Sequence, residues 1–299
     1  MTISQLVRVP QSCTEQLQHP EINGANPRTA SITTLIPFGY ANFDLITGRA
    51  VTRAASFGLA ETSRGRALRG SGAACASIAL DLSAYQRITL SFWMYWDAFA
   101  SDDDLAMEFS PNYNTGGGFL IDPNSGAPAM GFFQVGTGGT SAGSSRYFTR
   151  PSAAAWHHYM LVLDKAAASS GGVTAAYVDG SAVSLTTAST GGTTANFPNS
   201  TLYLFSRNNT GLFGNGSLLN LVIRGGYTGT ADDALAEYTD PWGLFKAPQA
   251  PEIWVTVSAG GGSSSLTPSD TTHTHTADSV TLTTSSTLAI ADAVHAHTA

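Results

Sequence analysis

Charge is what this chain has least of. Asp, Glu, Lys and Arg together make up 12% of its 299 residues, about half the share of an ordinary soluble protein. Long helices, which usually carry Glu, Lys and Arg on their wet faces, are therefore not expected. The 14 Lys and Arg against 21 Asp and Glu leave a net charge of -7. That balance supplies no basic patch for phosphates and argues against a nucleic-acid partner. No stretch approaches the roughly 18 consecutive apolar residues of a membrane span, so membrane insertion is not expected. The opening MTISQLVRVPQSCTEQLQ has neither the basic n-region nor the apolar run of an export signal. Two cysteines, Cys13 and Cys75, allow one disulfide but no framework. They are expected as partly buried thiols in a reducing compartment.

What the chain has instead is 42% apolar and 10% aromatic residues, with Ser, Thr, Gly and Asn supplying most of the polar surface. That mixture suits short strands and turns. Between FDLITGRAV (43–51) and DPWGLF (240–245) apolar stretches alternate with Gly, Asn, Asp and Ser. ITLSFWMYWDAF (88–99), GFFQVG (131–136), HHYMLVLD (157–164), TAAYVDGSAVS (174–184), TLYLFSR (201–207) and LLNLVIR (218–224) are strand-like in length and residue type. Asp179 and Gly180 predict a hairpin turn, because they tolerate positive φ at its two central positions. One short helix is expected over 230–239, with a polar cap before it and Pro241 stopping it. The pattern predicts an antiparallel sandwich.

Pro10, Pro20, Pro27 and Pro37 make residues 1–40 read as an extended arm with short strands, docked on a neighbour or packed along its own domain, since proline removes backbone donors and biases its predecessor toward extended geometry. After Trp254 the composition changes to SAGGGSSSLTPSD (258–270), a flexible joint. The expected division is an arm at 1–40, a sandwich at 41–250, a Gly/Ser-rich linker at 251–270 and an oligomeric tail at 271–299.

Taken in order, DLITGRAV, GRALRGSG, RITLSFWMYWDAF, AWHHYMLVLD, AAYVDGSAVS, LYLFSR and DPWGLFKAP resemble the laminin-G-like, or concanavalin A-like, domains common in bacteriophage virion proteins. The likeness spans roughly residues 35–247 and rests on order and spacing, each motif being weak alone. It implies an all-β, two-sheet jelly-roll sandwich, here with an extended N-terminal arm and a C-terminal fibrous β-repeat tail. Fold alone does not give function.

Among candidate site residues, Phe92, Trp93, Tyr95 and Trp96 sit at alternating strand positions, so one pair is expected in the core and the other on the opposite face. Core packing is expected of them rather than a sugar-stacking platform. Trp156 is expected to be structural, with one or both of His157 and His158 at the surface. Asp102, Asp103, Asp104 and Glu108 form a dense acidic run. It reads as a solvated loop, although some laminin-G-like domains hold calcium at a rim loop. The family also implies a test for glycan hydrolysis, which in its retaining form needs two carboxyl groups about 5 Å apart. None of Glu15, Glu21, Glu61, Glu108, Glu237 and Glu252 stands in the family's Glu-x-Asp-x-x-Glu arrangement. There is no Gly-x-Ser-x-Gly elbow, and His19 has no recognisable partner. The glycine clusters at 115–118 and 136–140 lack the Lys and the strand-to-helix setting of a phosphate loop, and read as loop tips. No catalytic residue is assigned, and the chain is expected not to be an enzyme.

Four of the seven histidines stand in two His-x-His boxes, His273/His275 and His295/His297. In an extended strand residues i and i+2 share a face, so each box offers two imidazoles. Three chains about a threefold axis would offer six, which suits iron or another octahedral transition metal. The pattern resembles the His-x-His sites of trimeric phage fibre tips. A polar repeat making ordinary trimer contacts is the alternative. The expectation is a homotrimeric, non-enzymatic virion component, assembled in the host cytoplasm and released by lysis. It would sit on the tail or baseplate as a fibre or receptor-binding protein, touching other virion proteins and a host-surface glycan or protein. The alternatives are a head fibre or capsid decoration protein, and a tail-associated glycan hydrolase.

Overall fold

The computed structural model describes residues 3–8, 20–245 and 252–257, except 55–56, 100–103, 111–116, 125–128, 136–142 and 193. Its strands in chain order begin with Ile3–Arg8 (β1), Ile32–Ile36 (β2), Thr52–Arg53 (β3), Gly58–Thr62 (β4), Gly65–Arg69 (β5) and Ala76–Asp81 (β6). Next come Arg87–Trp96 (β7), Met107–Phe109 (β8), Phe119–Asp122 (β9), Ala129–Val135 (β10), Ser144–Thr149 (β11) and Trp156–Asp164 (β12). Val173–Val178 (β13), Ser181–Ala182 (β14), Thr186–Thr190 (β15), Asn199–Leu204 (β16), Gly216–Gly225 (β17) and Glu252–Val257 (β18) complete them, with one α-helix, Ala231–Thr239 (α1), between β17 and β18.

The chain divides into two compact units. In the smaller, Met1–Val9 with Pro251–Ala299, β1 pairs antiparallel with β18. The larger, Pro10–Ala250, is a sandwich of two sheets. One runs β15-β11-β10-β9-β8-β16-β6-β3; the other runs β14-β13-β12-β7-β17-β5-β4, with β2 also paired to β17. The all-β jelly-roll expectation therefore holds. Within the segment read from sequence as arm, Ile32–Ile36 form β2 on β17 and bury Leu35 and Ile36 completely, so this part packs along its own domain. Prolines at 27 and 37 merely bracket that strand.

Alternation along β7 explains the layering. Ile88, Leu90, Phe92, Met94 and Trp96 enter the main core, where Leu161 and Ile223 join them from the neighbouring strands and Phe109, Phe119 and Leu202 meet them from the facing sheet. Thr89, Ser91, Trp93 and Tyr95 point to the other face. The expected split of the four aromatics is thus found, with Phe92 and Trp96 inside and Trp93 and Tyr95 outside. The β13–β14 turn falls at Asp179 (φ 49°) and Gly180 (φ 77°), as the sequence predicts. The helix is also where the sequence places it: Thr230 and Asp233 form a reciprocal capping box, and Asp240 and Pro241 end it.

The helix covers part of the outer face left by that alternation. The Thr89 hydroxyl donates to the Tyr227 carbonyl and accepts from the Gly229 amide, both at 2.9 Å. Two residues along, Ser91 meets Glu237 of α1. Two further, Trp93 is stacked by Tyr238 at 5.6 Å and lies under the Arg64 guanidinium, 3.6 Å from its ring centroid. A buried ring with partners on this scale is a major share of local stability. Trp93→Ala should therefore destabilise the protein by about 3–5 kcal/mol, the cost of an aromatic-to-alanine cavity. Urea unfolding would measure this; a loss below about 0.5 kcal/mol, typical of surface changes, would contradict the packing.

Candidate functional site

Of the polar groupings on the outer face of the β7 sheet, one is closed under α1 and another is open beyond it. The closed one joins Ser91, His158, Arg224 and Glu237. Ser91 Oγ lies 2.9 Å from His158 Nε2 and donates to Glu237 Oε2 at 2.5 Å. Arg224 Nη2 donates to Glu237 Oε1 at 2.6 Å. A serine, a histidine and an acid suggest a nucleophile, but the connections differ. In a catalytic triad the acid orients histidine through its second ring nitrogen. Here Glu237 bonds the serine itself, and His158 Nδ1 finds no partner among the described residues. The adjoining cavity measures about 10 Å³, the scale of a single water. This cluster clamps α1 to the sheet.

The Glu237 carboxyl is perturbed by that setting. Burial opposes its ionisation, but His158, Arg224 and the Ser91 hydroxyl outweigh burial and hold it down at about 2. His158 itself is 1% exposed. His157 is half-buried, its Nδ1 2.7 Å from Asp179 Oδ2. Of the two histidines expected singly or together at the surface, His158 is roofed by α1, while His157 keeps partial exposure and meets Asp179 from the β13–β14 turn. The expectation for Glu108 is corrected. It lies in β8, wholly buried, with Ser110 donating to it and Arg207 at 3.8 Å. Desolvation raises its carboxyl above the usual range. Asp102, Asp103, Cys13, most of the two glycine clusters and His273, His275, His295 and His297 lie outside the described residues. Cys75 is buried and free. Among the described residues no group of three or more His, Cys, Asp or Glu is arranged to hold a metal, and no helix is long and apolar enough to cross a membrane.

The open grouping begins where the helix stops. Strand register places Trp156 of β12 beside Tyr95 of β7, Tyr95 beside Ser217 of β17, Ser217 beside Arg69 of β5, and Arg69 beside Gly58 of β4. Residues directly opposite on neighbouring strands share a face, so five strands deliver this row to one surface. Gly58 leaves open space there: a Cβ would touch nothing within 4 Å. At Gly216 the reverse holds. A Cβ would come within 2.5 Å of the Tyr95 carbonyl oxygen and 2.8 Å of the Trp96 ring, so glycine lets β17 approach β7 closely.

The result is a half-open cleft of about 260 Å³ lined by Ala60, Thr62, Ser63, Arg69, Tyr95, Trp156 and Ser217. Tyr95 and Trp156 stand 5.8 Å apart with their planes at 54°. Arg69 grips Asp97 through both terminal nitrogens, at 2.7 and 2.5 Å, and reaches Asn215 Oδ1 at 3.2 Å. The Asp97 bond raises the guanidinium above its ordinary range, so it stays charged. The β4–β5 hairpin forms one wall. Its turn is tied by the Thr62 hydroxyl to the Gly65 carbonyl at 2.6 Å, and the Arg66 amide donates to the Tyr40 hydroxyl at 2.9 Å. Of these residues the sequence singled out Tyr95 and Trp156. Arg69, Asp97 and Ser217 were missed, because Arg69 and Ser217 are 148 residues apart and only the sheet register joins them. The usable signal was the alternation on β7, which continues past Tyr95 to Asp97.

The chain belongs to the concanavalin A-like lectin/glucanases superfamily, whose laminin-G model matches residues 69–224. Solved structures agree in fold. The receptor-binding domain of botulinum neurotoxin type G aligns with a TM-score of 0.51 at 12% identity, over 71% of this chain and 52% of that one. The receptor-binding domain of the botulinum neurotoxin C/D mosaic serotype gives 0.54 at 10%, over 70% and 51%. The binding domain of botulinum neurotoxin DC, solved with rat synaptotagmin II, gives 0.53 at 12%, over 70% and 52%. The chain thus spans about half the length of these neighbours. Comparison with curated proteins yields no match. What the family and the fold define here is a lectin-like domain.

The clamp predicts an acid dependence. Glu237 has a folded pKa of about 2 against an ordinary 4.5, so its contribution is complete above about pH 4.5 and is lost as pH falls toward 2. Glu237→Gln should cost about 3–5 kcal/mol at neutral pH, the scale for breaking a buried ion pair. The gap to the parent protein should narrow as unfolding is measured from pH 5 down to pH 2. A gap that is small at neutral pH, or independent of pH, would contradict the clamp.

Proposed function

We propose that this chain is a non-enzymatic structural component of a bacteriophage particle: a tail or baseplate fibre or receptor-binding protein that presents its lectin-like domain to the host surface. The observation that carries this reading is the open aromatic cleft. A sheet face partly covered by α1 and its flanking segments exposes Tyr95, Trp156 and an ion pair on a rigid sandwich, which is the make-up of a recognition surface. The His-x-His repeat after the Gly/Ser-rich joint supports a fibre-type attachment, with three chains sharing one axis. The cleft offers little for hydrolysis, which needs an acid and a second carboxyl group. None of its lining residues is an acid, and Asp97 beside it is committed to Arg69.

In this reading His273, His275, His295 and His297 hold an octahedral metal such as iron in a homotrimer, each box contributing two imidazoles per chain. Their imidazoles bind metal only when neutral, so mild acid or chelator should release it and loosen the trimer. Elemental analysis of purified trimer should find one metal per box. Absence of metal, with assembly intact after all four histidines are replaced, would leave only a polar trimer repeat.

Adsorption tests the surface role. The purified full chain should bind susceptible cells and compete with particle adsorption, and Trp156→Ala should weaken both by about tenfold, the loss of about 1.4 kcal/mol. Label on intact particles should fall on the tail. Label on the capsid, with no competition by the free protein, would favour a decoration protein.

A further inference from the structure

The chemistry of the cleft narrows what it can hold. Its one cation and the adjoining anion are already joined: both terminal nitrogens of Arg69 face the two oxygens of Asp97. A planar, bidentate pair of this kind is the strong form of the charge-assisted hydrogen bond. An anionic ligand would have to compete with Asp97 for the guanidinium, and a cationic one would meet Arg69 itself. Charge of either sign therefore gains little. What remains is an aromatic corner from Tyr95 and Trp156, the Ser63 and Ser217 hydroxyls, and the rim around Asn215.

A ligand that suits this set has an apolar C–H face for the rings and hydroxyls at its edge. Each Asp97 oxygen accepts one bond from Arg69 and, with roughly two lone-pair sites per oxygen, keeps room for a second donor. The exposed Asn215 side chain adds amide donors nearby. Acceptors and donors thus stand side by side, as adjacent hydroxyls on a ring require. At about 260 Å³ the cleft falls below the roughly 300–1,000 Å³ of sites for drug-sized ligands. A single ring fits that space better than a folded peptide segment.

We infer that the cleft binds one uncharged pyranose ring and that the Arg69–Asp97 pair excludes its acidic counterparts, an inference that rests on reading the cleft as the surface-binding site. The ring stacks on Trp156, with Tyr95 closing the corner. Asp97 acts as the filter by occupying the one group that would otherwise attract a carboxylate.

Matched sugar pairs test it. The full chain would be titrated with methyl glucopyranoside against methyl glucuronopyranoside, and with methyl galactopyranoside against methyl galacturonopyranoside. Tryptophan fluorescence and saturation-transfer NMR provide the readout. At least one neutral sugar should bind, its acidic partner about tenfold more weakly, and Trp156→Ala should weaken sugar binding by about tenfold. Asp97→Asn releases the Arg69 charge, so the preference should shift toward the acidic member by about tenfold, a change that simple loss of structure would not produce. If that variant does not fold, the unaltered chain still decides: its neutral-sugar affinity should be the same at low and high salt. Equal or tighter binding of an acidic sugar by the unaltered chain overturns the inference. So does failure of every neutral sugar to bind. In that last case, cell adsorption that is weakened in Trp156→Ala would show that the cleft still serves the surface by recognising something else. Sugar binding without any cell adsorption would overturn the surface role and leave the sugar site standing.

Discussion

A carboxylate with almost no contact with water fixes the outer face of this domain. Glu237 is 4% exposed, yet it remains ionised because His158, Arg224 and the Ser91 hydroxyl on the sheet beneath outweigh its burial. A sandwich has one core, so each sheet must cover its second face or use it. Along β7 the cover is assembled residue by residue. The 227–229 segment takes Thr89, Glu237 takes Ser91, and Tyr238 takes Trp93. The helix ends at Thr239, and the next outward residue, Tyr95, opens on the cleft. The site is the part of the face that the helix leaves uncovered.

That origin explains the two polar groupings' different characters. Inside the clamp, arginine, serine and glutamate are dry, and their value lies in holding α1 down. In the cleft, arginine and aspartate are each about one-third exposed, where an ion pair adds little stability of its own. Its geometry is the useful property. A bidentate pair beside two aromatic rings presents directed hydrogen-bonding capacity without net charge, on a chain whose total charge is already negative.

Local features of the fold were legible in the sequence, and long-range ones were not. Period-two alternation located β7 and divided its aromatics correctly. The Asp179–Gly180 turn and the capped helix follow from short-range backbone preferences, which one sequence carries in full. Burial of His158 and Glu108 was not legible, because their environment comes from α1 in one case and from Ser110 and Arg207 in the other. Polarity had suggested surface. The cleft was half visible: Tyr95 and Trp156 drew notice as aromatics, while Arg69 and Ser217 join them only through the pairing of β5, β17, β7 and β12. The proline-rich stretch left two placements open for a related reason, since extended geometry describes a free arm and a strand packed on its own domain equally well.

Hydroxyl-radical footprinting of the full chain, with and without envelope from susceptible cells, would show whether recognition falls on the cleft. Trp156 and Tyr95 should be oxidised in the free protein and protected by the envelope, while Trp93, sealed under Tyr238 and Arg64, stays unreactive in both. Unchanged oxidation of Trp156 and Tyr95 in the presence of envelope would contradict the account.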